Sequence, residues 1–476
     1  LALSSAVSLF VPHLAGNVVD VALVERSLEK LRTVIFGLIG LFAVTAVLSY
    51  VEGLILRRTA ARLVMAMRGR LHAHLLSHSP AFFERERVGD LLSRLTADVG
   101  QIGQTLTSGL VSCAQQVALL IGAIVVLFAK EPRLTGVMLV AVPPVVLLAT
   151  FFGFRFRALT RERQKRAADA TVAAEEAFAG IRTVAAFGRE DFERERYGVR
   201  LAGVLEIALR AARVWASFGA LVTFSAFSAM TFVLWYGGML VVEDAITPGE
   251  LTSFFLYTVM VASALGSIAS FWGELSSAAG ATERVRALLD SEPVIRDAPD
   301  ATPLPEPRGR IAFEDVRFRY PALDANAPAA AAAPAIDGVS LSLEPGRVVA
   351  LVGPSGGGKS TLIALLMRFH DPESGRVTFD GRDLRGVRLA DLRAAIGLVP
   401  QEIFLFGGTV AENIRYGRPG ASDADVEAAA RAASAWDFVS ALPDGLATVV
   451  GERGVRLSAG ERQRIAIARV FLEDPA

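Results

Sequence analysis

Long apolar stretches alternate with polar segments through the first part of the chain. A helix needs about 20 mostly apolar residues to cross the hydrocarbon core of a bilayer, which is about 30 Å thick. Six stretches of suitable length and composition occur, at residues 1–23, 33–55, 108–129, 134–154, 215–242 and 251–273. The pattern therefore predicts an all-α domain of six membrane-spanning helices.

Polar side chains within or beside these spans include His13, Asn17, Asp20 and Glu52. Polar groups are costly inside a membrane, so they are expected to have partners. They could line a cavity that receives cargo, or they could form hydrogen bonds between neighbouring helices. The sequence leaves both interpretations open.

The connections between the spans alternate in length and charge. Those after the first, third and fifth spans are short, whereas those after the second and fourth are long and rich in arginine, as at Arg57, Arg58, Arg155 and Arg157. Because cytoplasmic loops carry an excess of Lys and Arg, both long loops are predicted to be cytoplasmic. Both ends of the bundle then lie on the same side.

Each long loop has the pattern of a helix, a turn and a second helix. Pro80 and Gly89 interrupt the first loop, and Gly180 and Gly188 interrupt the second. Helices are therefore expected to project into the cytoplasm and to turn back at short tips, near residues 81–85 and 180–189.

The polarity changes after the sixth span. A helical pattern continues to about residue 290, five prolines between 293 and 307 mark a linker, and segment 311–320 alternates like a strand. Residues 321–334 form a Pro/Ala-rich loop, and strand and helix signals then alternate as in an α/β domain. We therefore divide the chain into a transmembrane domain (1–285), a linker (286–308) and an α/β domain (309–476).

Composition narrows the functional class. The chain has 476 residues, of which 52% are hydrophobic, and its mean hydropathy is +0.43, a value typical of membrane proteins. Its formal net charge is zero, so no basic excess supports a nucleic-acid partner. A single cysteine, Cys113, excludes an intramolecular disulfide.

Residues 353–360 satisfy the phosphate-binding loop pattern, between a predicted buried strand (347–352) and a predicted helix (361–369). Glycines allow backbone N–H groups to approach phosphate oxygens, the lysine reaches the β- and γ-phosphates of ATP, and the hydroxyl of Ser360 is able to ligate Mg²⁺. A chance match in a glycine-rich hairpin is the alternative, which the flanking strand and helix patterns disfavour. The predicted nucleotide-binding residues are Gly353, Pro354, Ser355, Gly356, Gly357, Gly358, Lys359, Ser360 and Thr361.

Further motifs lie on both sides of the phosphate loop, in the order Tyr320, phosphate loop, Gln401 and residues 457–464. Residues 457–464 have the sequence LSAGERQR, Gln401 follows Val399 and Pro400, and Tyr320 ends the first strand-like segment. Together with the phosphate loop, these motifs resemble those of an ABC exporter half-transporter of the lipid and multidrug exporter type, and the resemblance covers nearly the whole chain.

The resemblance implies a role for each motif. It implies that Tyr320 stacks on adenine, that Gln401 reaches Mg²⁺ or a catalytic water, and that the cytoplasmic tips are coupling helices. Segment 451–454 resembles the part of the nucleotide domain that contacts the membrane domain. The signature residues Ser458, Ala459, Gly460 and Glu461 would contact the γ-phosphate of ATP. Taken alone, Ser458 could be a simple N-cap, Gln401 an ordinary loop residue and Tyr320 a core aromatic.

The resemblance also implies an assembly and a location. One phosphate loop and one signature imply a dimer, for which a homodimer is our first choice, and a heterodimer stays open because the family usually has Gly where Ala459 stands. The family implies an integral, multi-pass protein of a bacterial inner membrane, in contact with lipid, with a cytoplasmic nucleotide domain. Its cargo would be a hydrophobic or amphipathic molecule such as a lipid, drug or peptide.

Two further expectations concern activity. The family's Mg²⁺-binding aspartate, catalytic glutamate and switch histidine would follow Ala476, so the sequence as given is expected to hydrolyse ATP poorly. An ATP-binding regulatory or receptor subunit, an inactive gene fragment, and a pump that also gates a channel are the alternatives to an exporter.

Overall fold

A computed structural model describes residues 2–140, 142–321, 333–451, 454 and 457–476. The predicted loop 321–334 and segment 451–454 therefore fall largely outside the described residues. The chain divides into two compact units, one of residues 1–66 and 98–283 and the other of residues 67–97 and 284–476. The first predicted tip thus belongs to the same unit as the α/β domain.

The first unit is helical. The helices of residues 2–289, including the tip regions, are α1 Ala2–Asp20, α2 Leu28–Leu76, α3 Pro80–Arg85, α4 Val88–Ser93, α5 Val99–Gln104, α6 Leu110–Lys130, α7 Pro132–Val140, α8 Val142–Ala179, α9 Ile181–Ala186, α10 Glu190–Val242 and α11 Pro248–Leu289. Short π-helical segments at Val21–Glu25, Arg94–Asp98 and Thr105–Gly109 connect some of them.

Among the described residues, five helical segments are long and apolar enough to cross a membrane. They are Ala2–Glu25, Leu28–Leu76, Val88–Lys130, Glu190–Val242 and Pro248–Leu289, and each overlaps one of the predicted spans. The remaining predicted span, 134–154, is divided between α7 and α8 at residue 141, which lies outside the described residues.

Both predicted tips are short helices. Pro80 occupies the first turn of α3, where its missing N–H costs nothing. Gly180 precedes α9, and Gly188 follows it with a φ of +58°, a left-handed conformation that glycine adopts readily.

Polar groups of the first unit bond between helices. Asp20 accepts hydrogen bonds from the Thr247 hydroxyl and the Gly249 N–H, both at 2.8 Å, at the start of α11. Glu52 accepts a bond from the Ser4 hydroxyl at 3.3 Å. These contacts favour helix–helix bonding over a free cavity-facing role for Asp20 and Glu52.

The second unit contains a sheet and a helical subdomain. Its strands are β1 Ile311–Phe318, β2 Ile336–Leu343, β3 Ser374–Phe379 and β4 Arg382–Asp383, in the order β2-β1-β3-β4 with antiparallel pairing. Its helices are α12 Lys359–Leu366, α13 Leu389–Ala394, α14 Val410–Arg415, α15 Asp423–Ala432, α16 Trp436–Ser440 and α17 Ala459–Glu473.

The prediction of a buried strand at 347–352 is wrong, because this segment is not paired with any described strand. No ladder hydrogen bonds are formed there by the described residues, and Val348 and Val352 are almost fully exposed. The apolar run itself carries a strong β signal, but a strand also needs a neighbour to satisfy its backbone groups, and no described segment lies beside it as one.

In the described part of the second unit, two hydrophobic cores stabilise the fold. One lies under the sheet and includes Phe313, Val316 and, from α12, Leu365. The other joins α14, α15 and α17 through side chains such as Val426 and Ile465. The phosphate loop and the signature are therefore each supported by a different core.

Candidate nucleotide-binding site

The phosphate loop adopts a conformation that requires glycine. Gly356 and Gly358 have φ values of +79° and +81°. A Cβ atom on Gly358 would lie 2.6 Å from Cδ1 of Ile336 and 2.7 Å from the carbonyl oxygen of Ala335. Only glycine therefore fits between the start of β2 and the start of α12.

The N-terminus of α12 has the properties of an anion site. No side chain caps it among the described residues, and Gly358 in the preceding position is left-handed. The first N–H groups of a helix have no partners within the helix, and they carry the positive end of its dipole. This arrangement favours a bound phosphate group.

Lys359 closes the loop on itself. Its Nζ atom donates to the carbonyl oxygens of Gly353 at 3.0 Å and Pro354 at 2.6 Å. The ammonium group is thus held at the loop, with the hydroxyl of Ser360 in the next position of the helix. A phosphate would offer Lys359 a charge-assisted bond in place of neutral carbonyl partners.

Tyr320 lies beside the phosphate-loop helix. Its hydroxyl group is 3.2 Å from Oγ1 of Thr361, and its ring meets the rings of Phe318 and His370 edge-on, at centroid distances of 5.0 Å and 5.3 Å. The residue remains 40% exposed, so a ring held by its edges keeps surface available for stacking on a base.

Ser458 caps α17. Its Oγ atom accepts from the Glu461 N–H at 3.3 Å, and Oε2 of Glu461 accepts from the Ser458 N–H at 2.7 Å, which completes a capping box. The hydrogen bonds from Ser458, first that of its backbone N–H, lower the pKa of the Glu461 carboxyl group. Ser458, Ala459 and Gly460 are exposed, so the cap and its neighbours are accessible.

The structure brings only some of the predicted site residues together. Tyr320 contacts Thr361, whereas Ser458 lies on a helix supported by the other core. Gln401 is exposed in the irregular segment between α13 and α14.

His370 contacts Tyr320 but is not among the predicted site residues. This histidine follows α12 in the chain without any spacing pattern that marks it. Its signal is only its position between Phe369 and Asp371, a few residues after the end of α12.

Comparisons with known proteins identify the class of this chain. The family model for the ABC transporter transmembrane region matches residues 1–265, and the model described as ABC transporter matches residues 336–476. The chain belongs to the ABC transporter family. It is an integral membrane protein with a transmembrane region followed by an ATP-binding domain.

Three named relatives are similar over the whole chain. The chain is 34% identical to the ABC multidrug transporter mdr2 of Aspergillus fumigatus and covers 60% of it. It is 37% identical to the mitochondrial potassium channel ATP-binding subunit of Mus musculus, of which it covers 66%. It is 34% identical to the ATP-dependent lipid A-core flippase of Thiobacillus denitrificans, of which it covers 80%. The chain thus spans less than two thirds of the first two of these relatives.

A solved structure shares the fold. The structure of a bacterial Atm1-family ABC exporter with ATP bound matches 99% of this chain, and the chain covers 82% of it. The TM-score is 0.81 and the sequence identity is 27%. The resemblance to exporter half-transporters and the predicted fold class are thereby confirmed.

Proposed function

We propose that the full-length protein is an ATP-driven exporter that works as a dimer of such chains, with its nucleotide domains in the cytoplasm. The single observation that carries this proposal is the phosphate loop, in which Gly358 is left-handed and buried against Ile336 and Lys359 is held at the loop. A phosphate loop that is attached to the transmembrane region of an ABC transporter would couple nucleotide binding to transport across the membrane.

Each site residue has a proposed role. Gly353 through Gly358 and Lys359 hold the phosphates of ATP, and Tyr320 stacks on the adenine. Ser458, Ala459, Gly460 and Glu461 of one subunit complete the site at the γ-phosphate of ATP bound by the other. This division of the site requires two subunits. We propose a homodimer, and the methyl group of Ala459 supports a heterodimer as the second choice.

The donor set fits Mg²⁺. The Ser360 hydroxyl and the Gln401 amide both offer neutral oxygen ligands, which this hard cation accepts together with phosphate oxygens and water. When bound, the ion would neutralise charge on the β- and γ-phosphates. Ser360 and Gln401 would then hold the Mg²⁺ ion in position relative to the phosphate loop.

The remaining assignments concern the membrane cycle. We propose that domains 1–285 and 309–476, joined by linker 286–308, move relative to each other when ATP closes the dimer. The tips at 81–85 and 180–189 would transmit that motion as coupling helices, because a short helix at the end of a rigid helical pair moves as a body. A bacterial inner membrane is our proposed location, since the flippase relative is bacterial, and mitochondrial relatives make an organelle membrane the alternative.

Nucleotide binding is tested most directly at Lys359. A charge-assisted hydrogen bond contributes about 1.5–3 kcal/mol, so Lys359→Ala is expected to weaken Mg-ATP binding by roughly tenfold to a hundredfold or more. Lys165→Ala, which removes an exposed lysine of α8, is the matched control and should bind like the parent. Isothermal titration calorimetry of the purified protein measures both. Unchanged Mg-ATP affinity in Lys359→Ala would show that the loop does not hold the triphosphate.

Export of a lipid, drug or peptide is tested with the full-length protein in liposomes. Candidate cargo is expected to raise ATP turnover and to move across the bilayer only when ATP is present. Turnover that no lipid, drug or peptide stimulates would contradict export.

A regulatory subunit is the second candidate. The 37% identity to a mitochondrial potassium channel ATP-binding subunit favours it. In that case, ATP would change the conductance of a co-reconstituted channel while lipids and drugs remain on their own side of the bilayer.

A further inference from the structure

The tip helix α3 and the α/β domain belong to one compact unit, and histidines concentrate where they meet. The chain has five histidines. His74, His78 and His370 all take part in this junction, which we define by those three residues with Phe82 and Tyr320.

Two of the histidines tie the tip to the start of the linker. Nε2 of His74 is 3.0 Å from the carbonyl oxygen of Ser291, and Nε2 of His78 is 2.9 Å from the Ser291 hydroxyl. Nδ1 of His78 lies 3.0 Å from the carbonyl oxygen of His74. Because a carbonyl oxygen only accepts, Nδ1 of His78 carries a proton and donates it. These bonds therefore fix the end of α2 to Ser291, which lies just after the end of α11.

The same histidine supports the tip. The ring of Phe82 packs on the ring of His78 with centroids 4.3 Å apart. Since α3 has only six residues and no described side chain caps its N-terminus, its position depends on such contacts rather than on its own helical stability. Movement of the tip therefore changes the position of Phe82.

His370 forms the opposite wall. It is 8% exposed, and its ring contacts those of Phe318 and Tyr320 at centroid distances of 5.1 Å and 5.3 Å. Tyr320 in turn reaches Thr361 of the phosphate-loop helix. A cavity of about 530 Å³ is lined by Phe82 and Arg85 on the tip side and by Tyr320 and His370 on the domain side.

The charges of the tip also act on His370. Burial lowers the pKa of the His370 imidazole below its ordinary value of 6.5, the carboxylate of Glu84 opposes that shift, and the guanidinium of Arg85 adds to it. The imidazole is therefore favoured in its neutral form, as a flat and partly apolar ring that packs between aromatic neighbours.

We propose that His370 is a positioning residue that couples the seating of the α3 tip to the orientation of the Tyr320 ring. The inference rests on the proposed role of Tyr320 as the adenine-stacking residue. The tip supports one side of the junction, and His370 contacts the edge of the Tyr320 ring from the other side. When the tip moves out of this position, the Tyr320 ring on which the adenine would stack is held less firmly. Coupling of this kind is reciprocal, so nucleotide binding stabilises the seated tip by the same factor.

The first experiment compares Mg-ATP with Mg-tripolyphosphate, which has phosphates and no base. His370→Ala should weaken Mg-ATP binding by about two- to tenfold, the range that an aromatic pair contributes, and should leave tripolyphosphate binding unchanged. His370→Phe keeps a ring in place and should stay close to the parent. The control is His72→Ala, which removes an exposed histidine of α2. Equal losses for both ligands in His370→Ala would show a general structural defect and overturn the proposal.

A double-mutant cycle tests the coupling itself. Phe82→Ala should weaken Mg-ATP binding although Phe82 touches no phosphate, and adding His370→Ala should cause little further loss, because both changes break one connection. Losses that multiply would mean that tip and platform act independently, which overturns the inference.

Tyr320→Ala separates this inference from the proposed function. If this variant loses its preference for Mg-ATP over tripolyphosphate but His370→Ala and His370→Phe both keep it, only the inference fails. If Tyr320→Ala keeps the preference as well, the adenine role of Tyr320 fails with it.

Discussion

The N-termini of two helices in the same unit, α12 and α17, are both proposed to contact phosphates of ATP, but their local structures are opposite. The N-terminus of α12 follows a left-handed glycine, is capped by none of the described side chains and has an ammonium group in its first position. The N-terminus of α17 is closed by a capping box between Ser458 and Glu461. The first is thus shaped for a ligand, whereas the second already satisfies part of its own backbone.

This difference suits two different tasks. A loop that grips a triphosphate by itself gains from free N–H groups and positive charge. A signature that meets a nucleotide held by another subunit must first be a stable, exposed helix end. The capping box supplies that stability, but it also holds the carboxylate of Glu461 at the backbone N–H of Ser458, whose hydroxyl would face the γ-phosphate.

The largest effect is expected from glycine substitutions in the phosphate loop. Gly358→Ala combines a left-handed backbone, which costs roughly 1–2 kcal/mol, with contacts near 2.6 Å to a buried neighbour. We expect loss of measurable Mg-ATP binding. Gly356→Ala is the matched control because it has the same backbone conformation and no described atom lies within 4 Å of its Cβ position. It should lose only about five- to thirtyfold in affinity, the share due to backbone strain. Equal losses in calorimetry would show that the close approach to Ile336 does not matter.

The sequence predicted the features that depend on neighbours along the chain. Pro80, Gly180 and Gly188 marked the two tips, and the phosphate loop was found from residues 353–360 because its chemistry lies within one turn. Such signals are local, and local backbone preferences suffice to express them.

The contact between His78 and Ser291 could not be predicted from such local signals. These residues are separated by 213 positions, and nothing in either segment specifies the other. The strand predicted at 347–352 failed for a related reason. A strand is completed by a neighbour, and the β signal of Val348 and Val352 contains no information about whether one lies alongside.

An intermediate effect is expected at the cap of α17. Ser458→Ala removes the side-chain acceptor for the Glu461 N–H and should destabilise the helix by about 1 kcal/mol. Hydrogen exchange of residues 459–464, followed by mass spectrometry, measures this loss. Ser422→Ala is the matched control, since Ser422 forms an equivalent capping box with Asp425 at the start of α15.

The control also separates stability from function. Both variants should show faster exchange at their own helix, and in the full-length protein only Ser458→Ala should lower ATP turnover. Similar turnover in the two variants would mean that Ser458 is a helix cap and nothing more.

The smallest effect concerns the charge of Glu461. Two opposite charges a few ångströms apart interact by about 1 kcal/mol in water, and repulsion between like charges has the same size, so Glu461→Gln should strengthen ATP-dependent association of full-length subunits by about two- to fivefold. Glutamine keeps the capping geometry without the charge. Asp425→Asn makes the same change in the α15 box and should leave association unaltered.

The pH dependence of α17 provides the second arm of this prediction. A carboxyl group whose pKa is lowered by folding stabilises the folded state above its ordinary value of 4.5 and loses that contribution as the pH falls through the lowered value. Exchange in α17 should therefore quicken in the parent below pH 4.5, relative to Glu461→Gln, in which no charge is lost. If association weakens in Glu461→Gln instead, the carboxylate helps to hold the nucleotide. In that case, the uncapped, cationic N-terminus of α12 and the capped, anionic N-terminus of α17 would both be nucleotide-binding sites, rather than one binding site and one helix end that only covers it.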